Sequence, residues 1–107
     1  MAEPALDLSE LVGLYKEDAR RMTGQMQEAL SRWEEVQAGG AARQELRRLS
    51  HQLRGSGRTY GFRQVTRLCK AIENMIQKVE KNRLAPDERL RESIRKKVEQ
   101  LKSAFAA

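Results

Sequence analysis

The chain has 107 residues, of which 34% are charged and 5% aromatic, and it contains 2 prolines. This length suits one domain with a single core, because a chain of this size buries about two-thirds of its unfolded surface, and the many good helix formers favour an all-α fold. Cys69 is the only cysteine, which excludes a disulfide within the chain and favours a reducing compartment, while the net charge of +6 indicates an acidic partner such as nucleic acid, an anionic membrane face or an acidic protein.

The sequence gives no support to membrane insertion or secretion. No apolar run approaches the roughly 20 residues that a membrane span needs. The acidic start Met1-Ala2-Glu3-Pro4 lacks the basic and apolar regions of a signal peptide. We therefore expect a cytoplasmic protein that does not associate with membranes.

The first predicted helix spans residues 8–37. Asp7 and Glu10 form a D-x-x-E capping-box pattern at its start. Apolar residues recur at helical spacing from Leu8 to Val36. The run Ala38-Gly39-Gly40 is predicted to end this helix.

Three further helices are predicted over residues 42–60, 62–82 and 86–105. The second ends beside Gly61, a favourable terminating residue. The third has the strongest apolar periodicity, with Cys69 on its stripe as a core residue, and the fourth begins with Pro86 and two acids. Short links between amphipathic helices predict an antiparallel up-down-up-down four-helix bundle that forms one domain over residues 1–107.

His51, the only histidine, lies on the second helix. At about 100° per residue, it stands roughly 180° from the centre of the apolar stripe, which comprises Leu46, Leu49, Leu53 and Tyr60. Its imidazole therefore faces water. An ordinary solvated histidine is the alternative interpretation, and the residues around His51 decide between the two.

Glycines and arginines accompany the histidine. Gly55 also points outward, although a glycine inside a helix costs about 1 kcal/mol relative to alanine, and its missing side chain gives a bulky partner access to the ring. Arg47, Arg54 and Arg58 share this face and offer guanidinium groups for a phosphoryl group; a solvated basic face is the alternative. Gly57 falls at the edge of the stripe, where close helix packing is predicted.

The segment from Ser50 to Glu73 carries a recognisable pattern. It contains His51-Gln52-Leu53-Arg54-Gly55-Ser56-Gly57, then Gly61-Phe62, then Leu68-Cys69-Lys70-Ala71-Ile72-Glu73. This pattern resembles the signature of the histidine-containing phosphotransfer (HPt) domains of bacterial phosphorelays, which reads roughly H-x-L-K-G-x-x-x-x-x-G and continues to L-x-x-x-[IL]-E. Elsewhere the resemblance consists only of helices of suitable number and length.

The resemblance implies a four-helix bundle in which His51 accepts a phosphoryl group from the phospho-aspartate of a receiver domain and passes it to another receiver. Arg54 then occupies the lysine position of the family, Gly55 is the access glycine, and Glu73 accepts a hydrogen bond from His51 Nδ1. The residues predicted to contact the partner are Gln44, Arg47, Arg48 and Arg58. The sequence departs from the family at Arg54, usually lysine, and at Ser50, usually a small apolar residue.

The chain is expected to act without a cofactor or metal of its own. It has no G-x-x-x-x-G-K-[ST] loop and no carboxylate cluster, so we expect no ATP-dependent kinase activity, and the expected Mg²⁺ belongs to the partner receiver. The expected partners are response-regulator receiver domains, with a hybrid histidine kinase as a further candidate. A closed bundle of this kind is expected to be a monomer.

Two other functions fit the sequence less well. An adaptor that docks on receivers or kinases without transferring phosphate would bind them independently of His51. A basic helical nucleic-acid binder would show steeply salt-dependent affinity. Basic residues are interspersed with acids over several helices, and aromatic residues for base stacking are scarce, so nucleic acid is not the expected partner.

Overall fold

The computed structural model describes residues 7–33, 35 and 39–106, and this part of the chain forms four α-helices. They are α1 (Leu8–Ser31), α2 (Gly39–Thr59), α3 (Arg63–Glu80) and α4 (Glu88–Ala104). The predicted all-α fold is therefore confirmed. The sequence features at Met1-Ala2-Glu3-Pro4, Val36 and Ala38 lie outside the described residues. None of these four helices combines the length and the apolar character needed to cross a membrane.

The helices form an antiparallel up-down-up-down bundle. Each helix packs against two neighbours, and within the described part the diagonal pairs α1–α3 and α2–α4 have no Cα atoms within 8 Å of each other. At one end of the bundle Trp33 Nε1 donates to the Pro86 carbonyl at 3.1 Å, and towards the other end Arg20 Nε donates to the Phe105 carbonyl at 2.7 Å. The first contact sets the C-terminal end of α1 beside the start of α4, and the second sets the middle of α1 beside the end of α4.

The core fills the space between all four helices. Its fully buried members include Met26 from α1, Leu46 from α2, Ile72 from α3 and Ile94 from α4. Cys69 is also fully buried, in agreement with its predicted core position. Burial of these apolar side chains is the main free-energy gain of folding, at about 25 cal/mol per Å² removed from water.

Aromatic rings close the end of the bundle where α2 meets α3. Tyr15 stacks on Tyr60 with 4.7 Å between ring centroids, and it also contacts Phe62 at 5.3 Å and Phe105 at 5.5 Å. Aromatic pairs at these distances add about 0.5–1.5 kcal/mol beyond their area burial. The cluster ties the connection between α2 and α3 to both terminal helices.

Gly61 ends α2 as predicted. Its φ of +80° lies in the left-handed region, which glycine adopts without steric cost. The Phe62 N–H then donates to the Gly57 carbonyl at 2.8 Å and the Gly61 N–H to the Arg58 carbonyl at 3.4 Å, the bonding pattern of a Schellman motif. The motif reverses the chain within a few residues and sets α3 directly against α2.

The end of α1 and the start of α2 differ from the sequence prediction. We expected α1 to reach residue 37 and α2 to begin at residue 42, whereas α1 ends at Ser31 and α2 begins at Gly39. Arg91 Nε of α4 donates to the Leu30 carbonyl at 3.2 Å, and the next residues turn to bury Trp33, which is 2% exposed. These tertiary contacts end the helix before its apolar periodicity stops.

Gly39 begins a helix instead of ending one. A Cβ at Gly39 would lie 2.5 Å from the Trp33 carbonyl oxygen, so only glycine fits this approach. The start of α4 also shifts, from the predicted Pro86 to Glu88, because Asp87 is the N-cap and accepts from the Leu90 N–H at 2.9 Å. The other predicted helix ends lie within two residues of those observed.

Candidate functional site

His51 projects from the middle of α2 into solvent, and its side chain is 68% exposed. The leucines on the opposite side of the helix are buried, with Leu46 and Leu53 fully inaccessible. The predicted orientation of His51 therefore agrees with the structure. One edge of the imidazole faces water, while the other is held by a neighbouring helix.

Glu73 of α3 holds the inner edge of the ring. Its Oε1 lies 2.9 Å from His51 Nδ1, and its side chain is only 11% exposed. A carboxylate can only accept hydrogen bonds, so in a neutral imidazole the proton must reside on Nδ1. This leaves Nε2 unprotonated and turned towards solvent, with its lone pair available as a nucleophile.

Arg54 completes the group from the next turn of α2. Its Nη1 lies 3.0 Å from Glu73 Oε2, close enough for an ion pair. The geometry is not that of a hydrogen bond, and Oε2 has no hydrogen-bond partner among the described residues. Glu73 therefore bridges His51 through one oxygen and Arg54 through the other. Since Glu73 is largely buried, the positive charge of Arg54 offsets the cost of holding a carboxylate there.

Gly55 and Gly57 serve different purposes. A Cβ at Gly55 would meet no heavy atom of the described residues within 4 Å, so no neighbour in this part of the structure requires glycine at this exposed position. A Cβ at Gly57 would lie 3.0 Å from Val65 Cγ1 of α3, which agrees with its predicted role in close helix packing. The absence of a side chain at Gly55 leaves the surface beside His51 flat and open to a partner.

Three of the four predicted partner-binding residues lie beside the histidine. Gln44, Arg47 and Arg48 line the same shallow depression as His51. The two arginines are engaged within the chain: Arg47 Nη1 bonds Glu80 Oε2 at 2.7 Å, and Arg48 Nη2 bonds Glu45 Oε1 at 2.6 Å. The depression thus carries balanced charge, not the free cationic rim that the sequence suggested.

Arg58, the fourth predicted residue, lies elsewhere. It lines a second depression at the α2–α3 turn together with Arg63 and Arg67 of α3, which the sequence analysis did not single out. A charge count along the chain would have found them, because no aspartate or glutamate occurs between Glu45 and Glu73. The structure therefore separates the basic residues into two groups.

Cys69 is excluded as a second nucleophile by its surroundings. Burial raises the pKa of its thiol to about 12, and the negative charge of Glu73 acts in the same direction. A thiol with such a pKa stays protonated at neutral pH, and the thiolate is the reactive form. The exposed imidazole of His51 is thus the candidate nucleophile of this surface.

The chain is similar to a described family and to parts of much longer proteins. Residues 10–104 match the family model of the Hpt domain. The chemotaxis proteins CheA of Listeria monocytogenes and of Listeria innocua are each 32% identical over 82 residues, which cover 77% of this chain and 13% of each relative. No solved structure matches the chain significantly. The chain therefore spans a small part of the length of these relatives.

Proposed function

The chain belongs to the Hpt domain family, and from this premise we propose that it is a phosphorelay carrier. His51 accepts a phosphoryl group from the phospho-aspartate of a receiver domain and passes it to an aspartate of another receiver. The observation that carries the proposal is the 2.9 Å contact between His51 Nδ1 and Glu73 on an imidazole whose other edge is exposed.

The transfer begins with Nε2 of His51. Its lone pair attacks the phosphorus in line, the N–P bond forms, and the P–O bond to the aspartate breaks, which returns a carboxylate to the receiver. The ring gains positive charge because Nδ1 keeps its proton while Nε2 acquires a substituent. Glu73 stabilises this charge through the Nδ1–H hydrogen bond. Return of the phosphoryl group to a second aspartate reverses each of these changes.

The residues around His51 position its ring and the partner, and they take no chemical part in the transfer. Arg54 holds the second oxygen of Glu73, and the open surface at Gly55 admits the phospho-aspartate loop of the partner. We propose that the chain needs no cofactor of its own and that Mg²⁺ in the partner receiver balances the charge of the moving phosphoryl group. The name chemotaxis protein, carried by the two relatives, makes a chemosensory receiver a partner worth testing first.

The test is transfer of radiolabelled phosphate from a panel of phosphorylated receiver domains. We expect an acid-labile label on the chain that His51→Gln abolishes, because His51 is the only histidine. The matched control is Gln52→Ala, at the exposed neighbouring position, which should keep the label. A label that survives in His51→Gln, or no label from any receiver, would refute the carrier function.

The same experiment separates the carrier from the two alternatives. An adaptor would bind a receiver with equal affinity in the wild type and in His51→Gln, and would acquire no label from any receiver. A nucleic-acid binder would retain DNA or RNA at low salt and lose it steeply as salt rises.

We propose the cytoplasm as the compartment of the reaction, since phosphorelay receivers and their phosphate donors act there.

A further inference from the structure

The charges of the chain are segregated around the site. Between Glu45 and Glu73 the sequence has no acidic residue and seven basic ones, which are Arg47, Arg48, Arg54, Arg58, Arg63, Arg67 and Lys70. Three of them reach carboxylates that lie at the borders of this segment or beyond it. The other four have no carboxylate oxygen within 4.0 Å among the described residues.

Arg58, Arg63 and Arg67, which we call the turn arginines, form one group among these. They line a common depression with Gly61 and Thr66 at the α2–α3 turn. No carboxylate oxygen of the described residues lies within 4.0 Å of any of them. Three guanidinium groups held together without counterions create a local positive potential that favours an acidic partner.

The frame beneath the turn arginines is rigid. The Schellman motif at Gly61 fixes the reversal of the chain, and the stacked rings of Tyr15 and Tyr60 fix its packing. Arg58 sits on the last turn of α2, and Arg63 opens α3. Because the backbone is already fixed here, binding of a partner loses little backbone entropy, and this favours affinity.

Arg58, one of the turn arginines, lies on the same face of α2 as His51. Arg58 follows His51 by seven residues, so it stands on the same helix face about 10 Å along the axis. The position between them is Gly55, where nothing projects. A protein that brings an aspartate to His51 Nε2 can therefore reach Arg58 across Gly55, which carries no side chain.

We propose that the turn arginines bind an acidic surface of the partner receiver and act as a docking anchor separate from the chemistry at His51. This inference rests on the proposed phosphorelay function. The anchor sets how tightly and how fast the receiver binds, because charges at the rim of an interface act mainly on encounter. It does not set the rate of phosphoryl transfer once the receiver is bound.

A nucleic acid is the less favoured occupant. The aromatic rings at this end of the bundle pack on one another instead of facing solvent: Tyr15 is buried, and Tyr60 and Phe62 are half-buried against the core. Binding of single strands depends on exposed rings on which bases stack. The depression also spans only three cations, whereas a nucleic-acid groove follows a longer stretch of backbone.

The test compares two triple variants with the same change of charge. The first is Arg58→Gln, Arg63→Gln and Arg67→Gln. The control replaces exposed arginines at the opposite end of the bundle, Arg32→Gln, Arg83→Gln and Arg89→Gln. Receiver binding is measured at equilibrium, and single-turnover transfer is measured over a range of receiver concentrations and salt concentrations.

We expect the first triple variant to raise Kd and the half-saturating receiver concentration by about tenfold, and to flatten their dependence on salt. The transfer rate at saturation should stay within about twofold of the wild type, and the control should change each quantity by less than about threefold. Equal effects of the two triple variants, or a fall in the saturated rate alone, would overturn the anchor. DNA or RNA binding lost specifically in the first variant would also overturn it.

The binding measurement keeps this inference distinguishable from the proposed function. If receivers bind the wild type but no phosphate moves, the carrier function fails, and the two triple variants still decide whether the arginines anchor the receiver. If phosphate moves and the triple variants behave alike, the carrier stands and the anchor fails. Absence of both binding and transfer with every receiver tested refutes both.

Discussion

The arginines beside His51 and those at the α2–α3 turn are the same residue type on the same pair of helices, yet they are used differently. Arg47 and Arg54 lie within 3.0 Å of carboxylate oxygens from α3. Arg58 and Arg67 have no carboxylate within reach in the described part of the chain. A basic residue near a reactive group therefore does not by itself indicate a ligand site, because its charge can already be paired with a carboxylate of the same chain.

His51, Arg54 and Glu73 form a group of paired side chains, which we call the paired region. The largest effect is expected from substituting Glu73 at its centre. Glu73→Ala removes the acceptor of the His51 Nδ1 proton and the partner of Arg54, so we expect the saturated transfer rate to fall by about 10-fold to 100-fold. The half-saturating receiver concentration should change little. Single-turnover kinetics measure both quantities, and an unchanged rate would show that Glu73 has no part in the transfer.

The surface between the paired region and the turn arginines is tested by the substitution Gly55→Leu. A leucine there fits without a clash inside the chain and should raise the free energy of unfolding by about 0.5–1 kcal/mol, while it obstructs a receiver and lowers transfer by about tenfold. The matched control is Gly24→Leu, because Gly24 is also exposed in a helix with nothing near its Cβ position. The control should gain the same stability and keep full transfer; loss of transfer in both variants would count against the access role of Gly55.

The core beneath the paired region offers a smaller change. Ser50 is fully buried, and its hydroxyl has no hydrogen-bond partner among the described residues. Removing an unsatisfied buried hydroxyl recovers its desolvation penalty, so we expect Ser50→Ala to stabilise the fold by about 1 kcal/mol. Urea denaturation measures this gain, and the transfer rate should stay the same. Destabilisation instead would mean that the hydroxyl has a partner in solution.

The smallest effect is expected from Arg48→Gln. Arg48 donates to the Glu45 carboxylate, and this hydrogen bond holds the pKa of Glu45 below its usual value. A lowered carboxyl pKa contributes stability above its unfolded value and loses it as pH falls through the folded value. The variant should therefore lower Tm by no more than about 2 °C at neutral pH, because the pair is exposed. The difference should vanish in acid; a larger or pH-independent loss would point to a packing role for Arg48.

The orientation of His51 was predictable because it depends only on helical periodicity. The position of Glu73 was expected from the resemblance to a known signature, and the structure places it at the His51 ring. The engagement of Arg47 and Arg48 was not predictable, since a helical wheel gives the face of a side chain but not the conformation in which it meets a carboxylate. Of the turn arginines, Arg58 was predicted, whereas Arg63 and Arg67 were missed for a related reason: they come from α3, and only the turn brings them beside Arg58.

The boundary between α1 and α2 shows the other limit of periodicity. Apolar residues continue at helical spacing past Ser31, so local rules extend the helix. The buried ring of Trp33, which bonds Pro86 just before α4, and the bond from Arg91 of α4 to the Leu30 carbonyl decide otherwise, and both partners lie far along the chain. The sequence pattern predicts Gly39 to end a helix, because the contact that requires glycine there, with the Trp33 carbonyl, is tertiary and invisible in the sequence.

The antiparallel pairing of α2 with α3 concentrates the reactive groups in one hairpin. His51, Arg54 and Glu73 all come from these two helices, which are joined by three residues between Thr59 and Arg63. Among the described residues, the hydrogen bond and ion pairs of these three side chains stay within α2 and α3 and do not involve α1 or α4. Substitutions on the outward surfaces of α1 and α4 can therefore change what the domain binds there while leaving the proposed phosphoryl-transfer site intact.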